Sequence, residues 1–409
     1  MVLDALGPPD LLPVAVRAWA PPDGWTPRAA RPVIPALPRL TLVLDTETTI
    51  DATQRLTFGV WRVLDDGVTI DEGLFHGDDL PEADLAILQE YAARQQADTQ
   101  RPEPLRLLSR RAFLCEVFWQ LAYKSRGVVV GFNLPFDLSR LAVGWGTARG
   151  EPYGGGFSLV LWDYEKNGVW VEDKYRPRIT VKSIDSKRAL IGFTKRRSPD
   201  PDDLIPEGSG DGKPDPAYVF PGYFLDLKTL AFALTNEAFS LDRACKAFGV
   251  ENGKAETEQH GVITESYIDY ARRDVQATAE LLEKLLEEHA RHPIALVPTK
   301  AFSPATIGKR YLSAMGIKPP LVRQPDFPAE VLGASMVAYY GGRAECRIRR
   351  TPVPVVYVDF LSMYPTVNAL MGLWDFLIAD HIDAFEAVAE VQAFLDAVTL
   401  DQCFDPQTW

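Results

Sequence analysis

The sequence predicts an α/β protein, on three observations. Short apolar runs bounded by turn formers recur through the first half of the chain and read as strands. Helical stripes then alternate with them and end in a long amphipathic helix over 265–292. One early run, Leu42-Val43-Leu44, delivers two acids one residue apart, Asp45 and Glu47. Strands first, then strands alternating with helices, define an α/β domain over about 38–292.

Taken in order, residues 1–37 are proline-rich without a sustained period and read as an extended arm. Strands are expected at 41–45, 56–64 and 68–75. Over 109–126, Phe113, Val117, Phe118 and Leu121 make one helical stripe, and Gly127 can end that helix. A buried strand follows at 128–132. Glycines cluster at 144–156, with strands near 157–162, 168–172 and 179–184. Segment 198–216 has turn formers and acids with almost no apolar anchor, and reads as a mobile acidic loop. A strand at 223–227 precedes a helix through Leu241, Ala244 and Phe248 to Gly249. The helix over 265–292 has Ala271, Val275, Ala279, Leu282 and Leu286 as its buried stripe and Pro293 as its stop. Residues 293–350 are a less regular connecting segment. A second strand ending in an acid is expected at 353–359, opening a new domain over 351–409, and an amphipathic helix at 383–400.

The chain of 409 residues has room for two or three domains. A net charge of −13 argues against a general nucleic-acid coat, while local basic patches can still meet phosphates. The four cysteines are far apart and form no Cys-x-x-Cys, which points to free thiols in a reducing compartment. The five histidines show no zinc-hydrolase spacing. There is no cationic region before an apolar core at the N-terminus and no stretch near eighteen apolar residues, so no signal peptide and no membrane partner is expected. A cytoplasmic protein is the default expectation.

Side chains alternate along a strand, so Asp45 and Glu47 point the same way. Two like charges on a buried strand end repel each other unless a cation sits between them, and a divalent metal on oxygen ligands is the usual solution. The bland alternative is a strand running into a polar turn. Asp137, in Asn133-Leu134-Pro135-Phe136-Asp137, lies just beyond the next buried strand, where sites of α/β sheets form. Tyr270 and Asp274 are four apart on the long helix and therefore share a face.

In order, Asp-x-Glu on a first strand, Asn-x-x-Phe-Asp after a middle strand and Tyr-x-x-x-Asp on a late helix resemble the three exonuclease motifs of family B DNA polymerases. The resemblance implies a ribonuclease H-like exonuclease domain, with a mixed sheet flanked by helices, that removes nucleotides from single-stranded DNA 3′ ends. Asp45, Glu47, Asp137 and Asp274 would hold two Mg²⁺ ions roughly 3.5–4 Å apart, with Mn²⁺ as a substitute, and Asp45 would bridge them. Tyr270 would orient the attacking water; with a phenol pKa near 10 it is not the base. Thr46 and Glu47 would meet the terminal nucleotide, and Asn133 and Phe136 would hold the single-stranded end. Thr229-Leu230 looks like the Ser/Thr-Leu motif of the protein-primed subgroup. Lys254 resembles that subgroup's lysine near the scissile phosphate, although a solvated loop lysine is the plainer reading.

Further on, Asp359-Phe360-Leu361-Ser362-Met363-Tyr364-Pro365 resembles the first palm motif of the same family, and Tyr339-Tyr340-Gly341-Gly342-Arg343 its Tyr-x-Gly-Gly motif. By that resemblance Asp359 would be a metal ligand, Ser362 and Tyr364 would meet the incoming nucleotide, and Tyr339, Gly341 and Gly342 would touch template DNA. The family's later Lys-rich helix and Asp-Thr-Asp hairpin do not occur before Trp409, so this chain alone is not expected to extend a primer. A short protein, a fragment and one half of a split polymerase stay open as readings. The partners implied are single-stranded and primer-template DNA, a second polypeptide with the remaining motifs, and a priming protein. The competing class is a non-catalytic DNA-binding or assembly subunit. It would rest on the basic residues Lys174, Arg176, Arg178, Lys182, Lys187, Arg188, Lys195, Arg196 and Arg197, with Arg343, Arg347, Arg349 and Arg350 around the glycine pair.

Overall fold

In a computed structural model of the chain, the described residues are 37–101, 103–194, 220–251, 260–338, 347–356, 363–403 and 405–408. They divide into one compact unit that ends at Ala314 and a second that begins at Met315. Residues 1–36 of the expected arm, Lys195, Arg196 and Arg197, the loop 198–216, Lys254, the segment Tyr339–Arg343 and the segment Asp359–Ser362 lie outside the described residues. Among the described residues, no helix is long and apolar enough to cross a membrane.

The first unit is a mixed α/β structure built on six strands in the order β12-β5-β1-β2-β3-β4. These are β1 (Leu40–Thr48), β2 (Leu56–Asp65), β3 (Val68–His76), β4 (Arg106–Ser109), β5 (Val128–Gly131) and β12 (Tyr223–Asp226). Strands β1, β5 and β12 run parallel, so their C-terminal ends emerge at one edge. Strand β2 is antiparallel to both β1 and β3. Leu42, Val43 and Leu44 are all buried, as the continuous apolar run of a strand covered on both faces requires.

The two faces of β1 belong to two cores. Val43 packs with Ile268, Ala271 and Val275 of the long helix α6 (Glu265–Ala290), whose N-cap Thr264 accepts from the Tyr267 amide. Leu42 and Leu44 pack with Phe113, Phe118, Leu134 and Leu138. Of the expected α6 stripe, Ala271, Val275 and Leu282 are buried, while Ala279 and Leu286 pack from its margin.

The helix expected over 109–126 starts as α2 (Arg110–Phe113), capped by Ser109, and continues as a π-helix (Leu114–Lys124). Its buried residues are Leu114, Val117, Phe118, Trp119, Ala122 and Tyr123, a stripe broad enough to take in both Trp119 and Tyr123. Helix α1 (Glu82–Arg94) and strand β4 add to the expected elements, although Leu88, Tyr91 and Ala92 carry a helical i, i+3, i+4 pattern. Helix α3 (Leu134–Leu141) stands where the sequence suggests only a post-strand turn.

The glycine-rich stretch yields β6 (Gly144–Thr147), which joins β7 (Phe157–Val160), β10 (Ile179–Asp185) and β11 (Arg188–Phe193) in a second sheet. Strands β8 (Asp163–Lys166) and β9 (Val169–Glu172) form a separate hairpin. Helices α4 (Leu227–Thr235) and α5 (Leu241–Phe248) follow β12. The unit runs past Pro293 because Ile294, Leu296, Ala301 and Ile307 are buried in the α6-side core, the last on α7 (Pro304–Ala314).

The second unit is helical in its described residues: α8 (Pro320–Arg323), α9 (Ala329–Ala338), α10 (Met363–Leu370), α11 (Trp374–Ile378), α12 (Val388–Ala397) and α13 (Leu400–Cys403). The strand expected over 353–359 is not found in its described part: residues 353–356 join no ladder, and Val355 and Val356 stay exposed. The expected helix over 383–400 shortens to α12, with no buried residue.

One buried ion cluster ties α6 to the sheet. Glu72 on β3 receives two hydrogen bonds from Arg272 on α6, both 3.0 Å, one from the Asp98 amide at 2.6 Å and a longer one from Arg62 at 3.4 Å. Burial pushes the Glu72 carboxyl up, but the bonds and charge of Arg272 outweigh it and hold the group below its ordinary 4.5. A depressed acid contributes stability that is present above its unfolded value and lost as pH falls through the folded one. Glu72→Gln should therefore cost about 3–5 kcal/mol near neutral pH. In urea melts, the gap to the unaltered chain should close as pH falls below the ordinary carboxylate value; a gap constant across pH would contradict this role.

Candidate active site

The C-terminal edge of β1, β5 and β12 is where the sequence-expected acids gather. Crevices outside the carboxyl ends of parallel strands are the usual location of sites in α/β sheets. Asp45, Thr46 and Glu47 end β1, where the pairing with β2 shifts register between Glu47 and Thr48. Such an irregularity at a strand end re-aims the side chains beside it. Opposite Thr46 lies Gly59, where a β-carbon would stand 2.7 Å from the Asp45 carbonyl oxygen and 2.2 Å from the Phe75 ring, so only glycine fits.

Tyr267, Tyr270 and Asp274 sit on α6. Tyr267 donates a hydrogen bond to Glu47 Oε2. Tyr270 shares a helix face with Asp274, one helical turn on. The two phenol rings stack with centroids 5.9 Å apart, and the His260 ring meets each edge-on at 5.9 and 5.8 Å. Burial, followed by the charge of Asp274 and its hydrogen bond, raises the Tyr270 phenol far above its ordinary value, with smaller contributions from Glu47 and Asp45. Burial and the Glu47 charge do the same to Tyr267. Both phenols stay protonated at neutral pH and act as hydrogen-bond donors.

Asp137 arrives from the other face of β1, on the first turn of α3. It is buried, and Thr46 binds it twice, through its amide at 3.1 Å and its hydroxyl at 2.8 Å, both to Oδ1. Burial raises the Asp137 carboxyl well above its ordinary value, and the negative charge of Asp45 raises it further. Thr46, expected to meet a terminal nucleotide, is thus turned inward as a clamp on Asp137.

Behind these acids lies one that the sequence motifs leave out. Asp226, at the end of β12, accepts from the amides of Asn133 at 2.8 Å and Leu134 at 3.1 Å through Oδ1. Through Oδ2 it accepts from the Thr229 amide at 3.2 Å and hydroxyl at 2.6 Å. One carboxylate therefore caps α4 and fixes the entry to α3. Asn133 needs that anchorage: its φ of 71° is left-handed, a conformation asparagine tolerates better than most residues.

Thr229 and Leu230, expected to contact a DNA strand, lie on α4 behind the end of β12. Both are buried, and the Thr229 hydroxyl is held by Asp226, so these side chains support the site from within. The sequence does carry a signal for Asp226, since an acid three residues before Thr229 at a strand-to-helix junction is a capping pattern. Tyr267 is legible in the same way, three residues before Tyr270 on the same helical stripe.

Phe136 is half-buried on α3, with the Arg140 guanidinium 4.9 Å from its ring centroid. Tyr364 lies exposed on α10 of the second unit. Half of the six described basic residues of the middle strands are neutralised locally: Arg176 pairs with Asp173, Arg178 with Glu172 and Arg188 with Asp185. The expected basic stripe is therefore weaker than its composition suggests.

Asp45, Glu47, Asp137 and Asp274 are hard oxygen donors of the kind Mg²⁺ prefers, and the repulsion between Asp45 and buried Asp137 is what a cation would relieve. The donor set thus fits by its chemistry. Among the described residues, no group of three or more acids, histidines or cysteines is placed to hold a metal ion. Compared with known proteins, the chain matches no family model and no curated sequence.

Asp226→Ala should strip the acceptor from three backbone amides. We expect a loss of at least about 1–3 kcal/mol in urea unfolding, because buried donors are left unpaired. Unchanged stability would show that the α3 entry does not depend on Asp226.

Proposed function

We propose that this chain is a two-metal 3′→5′ exonuclease acting on single-stranded DNA ends, with a ribonuclease H-like core, working in DNA replication as a proofreading nuclease of family B polymerase type. The observation that carries this reading is the convergence of Asp45 and Glu47 from β1, Asp137 from α3, and Tyr270 and Asp274 from α6. Tyr270 is linked electrostatically to Asp274, Glu47 and Asp45 together. A palm-like role for the second unit is part of the same proposal and rests on the resemblance of its sequence motifs.

The four carboxylates would hold two Mg²⁺ ions. Bound there, the ions would make hydroxide available near neutral pH and would neutralise charge on the attacking and leaving oxygens. The chain's own contributions come from the geometry. Tyr270, held protonated, would turn its single O–H from Asp274 to the attacking water once Asp274 faces a metal, and so orient that water in line with the scissile P–O3′ bond. The new O–P bond forms as P–O3′ breaks; the attacking water gives its proton to solvent, the leaving 3′ oxygen takes one from solvent to become the hydroxyl of the shortened strand, and a 5′-nucleotide is released. Thr46 keeps Asp137 oriented, and Asn133 and Phe136, beside Asp137, would hold the penultimate nucleotides.

A second reading, a non-catalytic DNA-binding or assembly subunit, is favoured by one observation: Glu47 is engaged by Tyr267 and Asp137 by Thr46. A 5′-labelled single-stranded DNA incubated with Mg²⁺ or EDTA separates the two. Stepwise shortening that needs Mg²⁺ and falls at least about a hundredfold in Asp274→Ala is expected from the nuclease, on the scale of losses seen when transition-state electrostatics are removed. Metal-independent binding without shortening, equal in both proteins, would establish the subunit reading instead.

A further inference from the structure

Next to the acids, on the far side of α3, runs a groove of about 590 Å³. One wall is α3, through Asn133, Pro135, Phe136 and Arg140. The floor is one face of the second sheet. Register places Trp145 opposite Leu159, Thr147 opposite Phe157, and Phe157 opposite Val181, so Trp145, Phe157, Leu159 and Val181 share that face. Leu159 and Val181 are buried, yet Trp145 is 70% exposed and Phe157 54% exposed. Their rings meet edge-to-face at 5.6 Å and are left open to solvent. Large aromatics left open beside a groove mark binding surfaces.

Resting on the nuclease reading, we infer that Trp145 and Phe157 are a stacking platform for unpaired bases of the strand whose 3′ end lies at the carboxylates. Three observations choose this occupant. The groove is continuous with Asn133 and Phe136, which flank Asp137, so a strand leaving the acids meets it next. It presents three aromatic rings, and a ring face accepts any base, which suits a nuclease without sequence preference. Its cation is unneutralised: Arg140 lies over Phe136 and binds only Ser139 and the carbonyls of Thr53 and Gln54, with no carboxylate partner among the described residues. That positive charge beside exposed rings complements a phosphate backbone carrying bases. A protein partner would more often meet aromatics within a rim of both charge signs. The platform makes the chain a sensor of how much strand is unpaired, since a short 3′ end fills the acids and Phe136 but does not reach Trp145.

The test uses the full chain with Ca²⁺ in place of Mg²⁺ and fluorescence anisotropy of 5′-labelled oligothymidylates. Trp145→Ala and Phe157→Ala should each weaken a twelve-nucleotide strand ~5–150-fold, the range for loss of one base–aromatic stack. They should leave a trinucleotide unaffected. Trp145→Phe should retain most of the affinity. A strand whose upstream nucleotides are abasic, with the phosphates intact, should bind the unaltered chain weakly and be indifferent to either alanine. Both positions are exposed, so thermal melts should be unchanged. Equal losses for three and twelve nucleotides, no loss at all, or no binding of the long strand would overturn the platform. Cleavage in Mg²⁺ is scored separately. Length-dependent binding without cleavage would keep the platform and remove the nuclease; cleavage indifferent to Trp145 and Phe157 would do the reverse.

Discussion

Repulsion among buried carboxylates is the constraint on which this structure turns. Asp137 is buried beside the charge of Asp45, and Glu47 extends from the same strand face as Asp45. Left alone, such a cluster would protonate or push its members into solvent. Among the described residues, donors meet two of these acids: Thr46 binds Asp137 and Tyr267 binds Glu47. Both donors are neutral, so they hold the geometry of the cluster without adding positive charge to it. A geometry held by neutral donors suits the capture of cations.

The strand that carries the pair also explains how acids from distant parts of the chain meet. Strand β1 is covered on both faces, by α6 on one side and by the π-helix and α3 on the other. Odd positions therefore bring Asp45 and Glu47 to α6, and the intervening Thr46 reaches Asp137 across the other face. Two further buried acids secure the frame at a distance. Asp226 pins the entry of α3 to the end of β12, and Glu72 pins α6 to β3 through Arg272. A shift of either helix by a fraction of a turn would separate the acids, so rigidity at these remote points is part of the site's chemistry.

Much of this is legible in the sequence because periodicity is local. The apolar run before Asp45 and the stripe of α6 identify their elements without tertiary information, and the spacing of Tyr270 and Asp274 comes from helix geometry alone. Other features depend on neighbours. Helix α3 reads as a turn because Asn133 and Pro135 are turn residues, and only the anchorage of its first amides by Asp226 lets residues 134–141 close into a helix. Thr229 looks like an exposed contact in the sequence, but Asp226 draws it inward. The π-helix carries an apparently ordinary period, yet its wider turn buries Trp119 and Tyr123 where a 3.6-residue stripe would place Leu121. The basic strands look stronger than they are, since composition counts Arg176, Arg178 and Arg188 without the acids that pair with them in space.

The most direct test of the central claim is where divalent cations bind. Crystals soaked in Mn²⁺ and measured for anomalous scattering should show two peaks roughly 3.5–4 Å apart, bounded by Asp45, Glu47, Asp137 and Asp274. Asp137→Asn should remove at least one of them. Absence of any peak among these acids at saturating Mn²⁺, or two peaks untouched by the substitution, would contradict the account and leave the carboxylates as a structural cluster held by its hydroxyl donors.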